Sequence, residues 1–326
     1  MVTSGGRILV IRGGAIGDFI LTLPVLAALR KHFPGTRIEV LGYPHIVQLA
    51  SAGGLADEVQ AIEGRGLASF FARNGSLPEE QMSYFSRFAL IISYLYDPDQ
   101  IFQANVARCS DAQLIVGPHK PGEETGGVHA TEVFLKPLER LAIFAADPTP
   151  RLRLAFEPRS VGARQQMDLI PPISAGNRWL AVHPGSGSDK KNWPEENWAA
   201  LLRRLAETSD LNLLLAGGEA ELDRLDRLAR LWPQERLRVA RRLPLVDLGR
   251  WLSACTLFVG HDSGITHLAA AVGLRGLALW GETNETVWRP RSASMQILRA
   301  QGGLRMLSVE QVHACLLASL PAEKDL

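Results

Sequence analysis

Two lysines, two serines and two glycines are concentrated in one short segment, His183–Pro194 (HPGSGSDKKNWP). The segment follows a predicted strand and precedes a predicted helix, so its backbone N–H groups can face an anion at the helix N-terminus. Ser186 and Ser188 offer hydroxyls, and Lys190 and Lys191 offer positive charge, which together suit a phosphate group. A solvated loop is the alternative. The Walker A spacing of Gly-x-x-x-x-Gly-Lys-Ser/Thr is absent, which does not favour ATP hydrolysis.

A second strand-to-helix junction is Gly260–His267 (GHDSGITH). Asp262 and Ser263 are good N-cap residues, and capping alone is a sufficient explanation for them. As a ligand site, the free N–H groups of Ser263 and Gly264 would hold a phosphate. His267 lies on an otherwise apolar helix, where we expect it to pack rather than to form a metal site with Asp262.

A third junction, Arg12–Asp18 (RGGAIGD), joins the first predicted strand to the first predicted helix. Its glycines let the backbone approach a ligand closely. A dinucleotide fingerprint needs glycine where Arg12 stands, so nicotinamide binding is not favoured, although Glu39 follows at about the right distance for a ribose-binding acid. Asp18 is either an acid that stabilises the helix start or a carboxylate that accepts a proton from a reacting hydroxyl.

Two more loops follow predicted strands. In Ala216–Glu221 (AGGEAE), Glu219 or Glu221 either accepts hydrogen bonds from a ribose or only favours the helix start. Gly281–Asn284 (GETN) follows the last predicted strand, at the edge where open α/β sheets bind ligands.

The Arg-rich run Arg224–Arg242 is interleaved with acids, which predicts a solvated helix face, with an acidic lipid surface as the alternative.

Short apolar runs alternate with helical patterns along the chain, which predicts βαβ units, parallel sheets and the α/β class. The predicted strands are Ile8–Ile11, Arg37–Leu41, Leu90–Tyr94, Leu114–Val116, Trp179–Val182, Asn212–Leu215, Arg238–Ala240, Thr256–Val259 and Leu277–Trp280. The predicted helices are Phe19–His32, Glu195–Glu207, Glu219–Leu231, Leu245–Ala254 and Gly264–Val272. The pattern predicts two doubly wound domains facing a cleft.

Length and charge agree with two ordinary domains. The 326 residues include 35 Lys and Arg against 34 Asp and Glu, so no global field attracts the chain to nucleic acid. We predict domains at 1–160 and 161–326, with a linker at Pro158–Asn177. Gly64–Ser83 has little periodicity and is predicted to be a long surface connection rather than a mobile flap.

Cysteine usage and hydropathy indicate the compartment. Cys109, Cys255 and Cys315 are far apart and form neither a CxxC pair nor a zinc-spaced cluster. No apolar stretch has the length of a membrane-spanning helix, and the run Ile8–Ile11 is too short for a signal peptide. We therefore expect a cytoplasmic protein, with peripheral contact to the inner face of the inner membrane left open.

Taken together, the motifs resemble those of the bacterial heptosyltransferases of glycosyltransferase family 9. The resemblance rests on Ile8–Pro24 (ILVIRGGAIGDFILTLP), His183–Trp198 (HPGSGSDKKNWPEENW) and Val259–Ala271 (VGHDSGITHLAAA), followed by Gly281–Thr283. Their order, spacing and strand-to-helix settings match the family over nearly the whole chain. His129–Glu132 (HATE) is also similar to a family feature.

The resemblance implies a GT-B fold with two Rossmann-like domains, an acceptor side first and a donor side second. It implies inverting transfer of heptose from ADP-heptose to a lipopolysaccharide core or related glycan acceptor, without a metal or other cofactor. Asp18 is implied to be the general base, with Gly13 and Gly14 on the acceptor side. The donor-binding residues it implies are Ser186, Ser188, Lys191, Glu221, Leu243, Asp262, Ser263, Gly264 and Thr283.

Within that set, the resemblance implies that Lys191 neutralises the leaving diphosphate, Glu221 holds the ribose and the Leu243 backbone lies near the adenine. The chain departs from the family at Glu282 and Asn284, where proline and aspartate are frequent. Another nucleotide-sugar donor or a non-lipid acceptor therefore stays open. So does a sugar-nucleotide-binding protein without catalysis, although Asp18 and Lys191 argue against it.

Overall fold

The strands form two sheets in this computed structural model, which describes residues 6–155, 177–188 and 191–321. The first sheet consists of β1 (Arg7–Arg12), β2 (Arg37–Gly42), β3 (Glu58–Ala61), β4 (Phe88–Ser93) and β5 (Gln113–Val116). The second consists of β6 (Trp179–His183), β7 (Asn212–Gly217), β8 (Leu237–Arg241), β9 (Leu257–His261), β10 (Gly276–Leu279) and β11 (Met295–Leu298). All neighbouring strands pair in parallel, which confirms the predicted α/β class.

Helices connect consecutive strands as crossovers, and the helix named last in each set below follows the last strand of its sheet. Those of the first sheet are α1 (Ile16–His32), α2 (Pro44–Ala52), α3 (Glu79–Ser86), α4 (Ile101–Ala107) and α5 (Ala130–Leu135). Those of the second are α6 (Glu195–Thr208), α7 (Leu222–Ala229), α8 (Leu245–Ser253), α9 (Gly264–Ala271), α10 (Glu285–Trp288) and α11 (Val309–Ser319). No helix in the described ranges is long and apolar enough to span a bilayer.

Each sheet reverses its strand order once. The orders are β3-β2-β1-β4-β5 and β11-β10-β9-β6-β7-β8. The reversal therefore falls between β1 and β4 in the first sheet and between β6 and β9 in the second. Doubly wound sheets bind ligands outside the carboxyl ends of the strands at such a reversal. The loops that follow β1, β6 and β9 are the three junctions selected from the sequence.

The chain divides into two compact units, Met1–Arg153 and Leu154–Leu326. The linker predicted at 158–177 lies outside the described residues except at its last position. All four tyrosines lie in the first unit and all seven tryptophans in the second. In the second unit Trp193 and Trp198 are fully buried and meet edge to face, with ring centroids 5.1 Å apart.

Burial explains which strands the sequence revealed. Ile8–Ile11 in β1 and Trp179–His183 in β6 are buried along their whole length, as expected for parallel strands covered on both faces. β3 and β11 were not predicted; each is an edge strand of four residues with exposed positions, although β5, which is an edge strand of the same length, was predicted.

The prediction that residues 64–83 form a long surface connection is wrong. A short 3₁₀ helix, Arg65–Phe71, occupies its first part, and α3 begins within its last part. Phe70 and Leu77 are buried, and the Phe70 ring centroid lies 4.8 Å from that of Phe85. Isolated aromatic residues without helical periodicity supply this packing, so the pattern alone did not reveal it.

Candidate active site

The turn after β1 makes room for a carboxylate. Gly14 has φ +103°, a conformation that favours glycine, and a Cβ there would lie 3.0 Å from Asp18 Oδ2. A Cβ at Gly13 would meet only Leu95, at an ordinary 3.8 Å. Of the two glycines predicted on the acceptor side, Gly14 is therefore the one that the backbone and the Asp18 carboxylate both require.

The Asp18 side chain contributes to the start of α1, which is one of the two roles that the sequence left open. Its Oδ2 accepts a hydrogen bond of 3.2 Å from Ala15 N, which caps the start of α1. Thr22 Oγ1 donates to the Asp18 carbonyl at 2.8 Å. The Asp18 side chain nevertheless remains 32% exposed. A fixed and accessible carboxylate of this kind can accept a proton.

The sequence reasoning considered Arg12 only as a missing glycine and overlooked its side chain. Arg12 is the last residue of β1 and is 3% exposed. Its Nη1 donates to the His119 carbonyl at 2.7 Å, and its Nη2 lies 4.0 Å from Asp18 Oδ1. The available signal was a charged residue directly after four apolar residues of a buried strand.

In the second unit, the structure brings two of the predicted motifs together. Lys191 Nζ lies 2.6 Å from Asp262 Oδ2. The Lys191 side chain is 41% exposed, whereas that of Asp262 is 10% exposed. The lysine comes from the loop after β6 and the aspartate from the end of β9, so the pair stands at the strand-order reversal of this sheet.

The serines of the first loop shape the loop itself. Ser186 Oγ donates to the Ser188 carbonyl at 2.7 Å and accepts from Ser188 N at 3.3 Å. Lys191 N donates to the same Ser188 carbonyl at 3.0 Å. Residues 189–190 lie outside the described residues, which includes Lys190. The loop conformation thus fixes the backbone that carries Lys191.

The second motif is a helix start, as capping predicted. Ser263 is the N-cap of α9, and its Oγ accepts from Thr266 N at 3.3 Å. Gly264 is the first helical residue, and Asp262 directly precedes the cap. His267 is buried in the same helix, as expected. Within the described ranges, no group of three or more His, Cys, Asp or Glu side chains forms a candidate metal site.

A buried histidine ties these two loops to each other. His261 Nδ1 lies 3.2 Å from the Gly185 carbonyl, and its Nε2 accepts from Trp193 N at 2.8 Å. These partners fix a neutral ring with its proton on Nδ1. Burial lowers the pKa of His261 to about 3, so the ring stays neutral and serves the structure.

Glu221 occupies a narrow space between glycines. It is buried, and its Oε2 accepts from Gly218 N at 2.9 Å. A Cβ at Gly185 would collide with the Glu221 side chain, and one at Gly217 would lie 2.8 Å from Glu221 Cβ. Only glycines therefore let the loops after β6 and β7 approach this carboxylate.

Leu243 is brought to the same place by its neighbour. Arg242 N donates to the Gly217 carbonyl at 3.1 Å, which holds the loop after β8 against the end of β7. Arg242 Nη2 also pairs with Glu219 Oε1 at 2.9 Å. The half-buried Leu243 therefore lies in a loop anchored beside the one that carries Glu221.

The prediction of a solvated helix face for Arg224–Arg242 is wrong for Arg224. Its side chain is 23% exposed, and its Nη1 donates to the Pro184 carbonyl at 3.0 Å, which braces the loop after β6. Helical periodicity does not reveal a carbonyl acceptor from a distant loop. Arg227 and Arg241 do form exposed ion pairs, as the interleaved acids predicted.

The residues that depart from the family pattern face solvent. Glu282 and Asn284 are exposed. Asn284 caps α10, since its Oδ1 accepts from Thr286 N at 3.1 Å, a role that aspartate fills equally well. The Thr283 carbonyl accepts from Trp280 Nε1 at 2.7 Å, which anchors the loop between them.

Two other acidic or basic candidates have structural roles. His129 is the N-cap of α5, with its ring nitrogen Nδ1 accepting from Thr131 N at 3.2 Å. Glu39 is buried within β2, and Tyr84 donates to its Oε1 at 2.7 Å. A buried Glu39 with this partner does not serve as the ribose-binding acid of a dinucleotide site.

Comparison with known proteins is decisive at this point. Residues 145–313 match the family model described as glycosyltransferase family 9 (heptosyltransferase), a segment that contains Lys191, Glu221 and Asp262. The chain belongs to glycosyltransferase family 9. A curated family 9 relative, lipopolysaccharide heptosyltransferase 3 of Escherichia coli K12, is 24% identical over 293 residues, which cover 84% of this chain and 82% of the relative.

Solved structures agree on the family 9 fold. The glycosyl transferase family 9 protein from Veillonella parvula superposes with a TM-score of 0.77 at 18% identity, covering 98% of both chains. ADP-heptose lps heptosyltransferase II of E. coli gives 0.76 at 17% identity, covering 96% of this chain and 98% of that one. These likenesses confirm the predicted GT-B class, built from two Rossmann-like units.

Proposed function

We propose that this family 9 glycosyltransferase transfers heptose from ADP-heptose to a lipopolysaccharide-core acceptor, with inversion and without a metal. The observation that carries the proposal is the Lys191–Asp262 pair at the strand-order reversal of the second sheet. The relative and the solved structure named for lipopolysaccharide and ADP-heptose support the choice of acceptor and donor. The second unit is then the donor side and the first unit the acceptor side.

The donor side offers positive charge and backbone donors to a diphosphate. An ammonium group has three N–H donors, and the bond from Lys191 to Asp262 uses one of them. In the proposal, the other two meet the charge that develops on the leaving ADP, with the N-terminus of α9 at Ser263 and Gly264 beside them. Ser186, Ser188 and Thr283 complete the donor loops.

The nucleoside is assigned to the neighbouring loops. Glu221 Oε2 accepts one backbone N–H, which leaves its other oxygen available to ribose hydroxyls. Leu243 follows Arg242, whose N–H anchors the loop, and in the proposal the Leu243 backbone lies against the edge of the adenine. Because Arg242 N is bonded to the Gly217 carbonyl, both contacts belong to one connected pair of loops.

The acceptor side supplies the base. Asp18 accepts the proton of the acceptor hydroxyl as the hydroxyl oxygen forms a bond to the anomeric carbon of heptose. The bond from that carbon to the diphosphate oxygen breaks on the opposite face, and its electron pair leaves with ADP. One base and one displacement give inversion without a covalent intermediate. Gly14 keeps the carboxylate unobstructed in this scheme.

A lipid-linked acceptor implies contact with a membrane surface. In support, six of the exposed large hydrophobic side chains recorded for the described residues lie in the first unit, the assigned acceptor side. They are Phe71, Met82, Tyr96, Val116, Val128 and Phe144. Co-sedimentation with vesicles of anionic bacterial lipids tests this contact, and the absence of any vesicle-bound fraction would refute it.

The test of the function separates donor binding from transfer. Lys191→Ala is expected to weaken ADP binding in isothermal titration calorimetry by at least about tenfold, because a charged hydrogen bond contributes about 1.5–3 kcal/mol. Arg204→Ala, which removes an exposed charge from α6, should leave ADP binding unchanged. Unchanged affinity in Lys191→Ala would contradict the phosphate role.

Asp18→Asn should abolish transfer from ADP-heptose to truncated lipopolysaccharide cores and leave ADP binding intact. Normal turnover in this variant would contradict the base assignment. A thermal-shift comparison of ADP-heptose with other ADP-, UDP- and GDP-sugars tests the donor. Donor binding by the wild type without transfer to any core would instead favour a binding protein.

A further inference from the structure

A positive charge is buried next to the proposed base. Arg12 is 3% exposed, and taking a guanidinium out of water is costly unless it is hydrogen-bonded and paired. Its Nη1 donates to the His119 carbonyl at 2.7 Å, and its Nη2 donates weakly to the Asp18 carbonyl at 3.4 Å. Its Nε is buried and has no hydrogen-bond partner in the described part of the chain. The site thus accepts an incompletely satisfied cation.

Aromatic rings hold this guanidinium in one orientation. Arg12 Cζ lies 4.5 Å from the Phe134 ring centroid and 5.7 Å from that of Tyr94. Tyr94 is itself fixed, because its hydroxyl donates to the Phe134 carbonyl at 2.6 Å. With the His119 carbonyl on Nη1, the group has contacts from α1, the residue after β4, the loop after β5 and α5. The cation is therefore preorganised.

The fixed cation lies where it acts on a carboxylate. Arg12 Nη2 lies 4.0 Å from Asp18 Oδ1, which is too long for a hydrogen bond but close enough for Coulomb attraction, with the Arg12 side chain buried. Asp18 Oδ2 is held separately by Ala15 N. The two carboxylate oxygens thus have different partners, and Oδ1 is the one left to receive a proton.

We propose that Arg12 is the positioning residue of the base: its buried guanidinium places a fixed positive charge beside the Asp18 carboxylate and orients it, an inference that rests on the proposed role of Asp18. The cation acts through Asp18 and need not touch the acceptor. A neutral residue of similar size would fill the space at the end of β1 but would not supply this charge.

Titratable groups other than Asp18 also lie near Arg12. His119 and Lys120 follow β5, and Tyr94 faces Arg12 from the end of β4. Burial lowers the pKa of His119, and Lys120 and Arg12 lower it further, while Asp18 opposes the shift. His119 contacts Arg12 through its backbone carbonyl, so His119→Gln preserves that contact and removes only the titrating ring.

The experiment compares pH profiles of kcat for ADP-heptose and a truncated lipopolysaccharide core. Arg12→Gln is expected to move the acidic limb to higher pH by about one unit, as loss of a neighbouring opposite charge does. Arg12→Lys, which keeps the charge, should restore most of the wild-type profile. Arg73→Gln, which removes an exposed charge of the first unit, and His119→Gln should leave the limb where it is.

The outcomes separate the two proposals. A structural role alone would lower the melting temperature of Arg12→Gln and scale kcat equally at every pH, and that unmoved limb would overturn the positioning role. A limb that disappears in His119→Gln would overturn it as well. If Asp18→Asn turns over normally, the base assignment itself fails. If Asp18→Asn is inactive and the Arg12→Gln limb is unmoved, only the role of Arg12 fails.

Discussion

Lys191 Nζ lies 2.6 Å from Asp262 Oδ2, although the two residues are 71 positions apart in the chain. Asp262 is nearly buried at the end of β9, whereas Lys191 is partly exposed in the loop after β6. The aspartate is therefore the anchored partner, and the lysine is the accessible one. The ion pair therefore links the loop after β6 to the end of β9, which is the neighbouring strand at the strand-order reversal.

This pairing predicts a specific pattern of ADP affinities. Lys191→Ala leaves the Asp262 carboxylate uncompensated, so ADP binding should fall at least about tenfold through lost attraction and new repulsion. Adding Asp262→Asn to Lys191→Ala should recover part of that loss, because the repelling charge is removed. Calorimetric titration of the two single variants and the double variant measures the coupling. Strictly additive effects would contradict it.

The close approach of Gly185 to Glu221 predicts a steric effect on stability. Gly185→Ala should destabilise the second unit by about 1–3 kcal/mol, because the new methyl group overlaps the Glu221 side chain. Urea unfolding followed by tryptophan fluorescence measures this, since all tryptophans lie in that unit. Combining Gly185→Ala with Glu221→Ala should restore the urea midpoint.

Gly187→Ala is the matched control for this steric effect. It lies in the same loop, and a Cβ there would meet no atom of the described residues within 4 Å. The urea midpoint of Gly187→Ala should therefore equal that of the wild type. Equal destabilisation by the two alanines would show that the loop needs flexibility rather than space.

His261 predicts how the second unit responds to acid. Burial lowers its pKa to about 3 in the folded state, against an ordinary value of about 6.5 in the unfolded chain. Between these values only the unfolded state binds the proton, so stability is complete above pH about 6.5 and falls with decreasing pH by up to about 1.4 kcal/mol per unit. Burial lowers the pKa of His183 too, which acts in the same direction.

His261→Gln should remove the contribution of one proton to the pH dependence of the free energy of unfolding. Glutamine can donate to the Gly185 carbonyl and accept from Trp193 N without titrating. Tryptophan-monitored urea unfolding at several pH values from 4 to 7.5 gives the slopes. A variant slope equal to that of the wild type would show that His261 does not contribute.

Glu39 predicts the opposite pH dependence in the first unit. Burial raises its pKa, so the folded state holds the proton more tightly, and stability is lost as pH rises through the folded-state pKa. Glu39→Gln should therefore unfold at a higher temperature than the wild type at pH 7.5 and at the same temperature near pH 4. Differential scanning calorimetry checks this, with the exposed Glu63→Gln as control. A lower transition temperature at pH 7.5 would contradict the assignment.

Buried strands and the starts of α6, α8 and α9 were readable from the sequence, whereas of the edge strands only β5 and β8 were. β1 and β6 are continuous apolar runs because helices cover both faces, so length and composition revealed them. β3 has the sequence EVQA and is half-exposed at a sheet edge, where the pairing partner rather than the composition makes it a strand. Ser263 was predictable as a cap because capping depends on local backbone geometry.

The site residues follow the same division. Asp18 and Lys191 stand in short motifs at strand ends, and their local setting was predictable. The burial of Arg12 depends on Phe134 and on the His119 carbonyl, more than 100 positions away along the chain. The brace from Arg224 to Pro184 likewise depends on a loop 40 positions away. Such contacts are set by the topology of the sheet and leave no local pattern.

The contact between Gly185 and Glu221 also constrains how this sequence can change over generations. A side chain at position 185 costs stability while Glu221 is present, whereas a glycine at 185 tolerates either a large or a small residue at 221. Substitutions are therefore less costly in one order, with loss of the large side chain at 221 before the loop gains one at 185. In the reverse direction, regaining Glu221 is least costly after a return to glycine at 185, which makes loss of this carboxylate harder to reverse than to acquire.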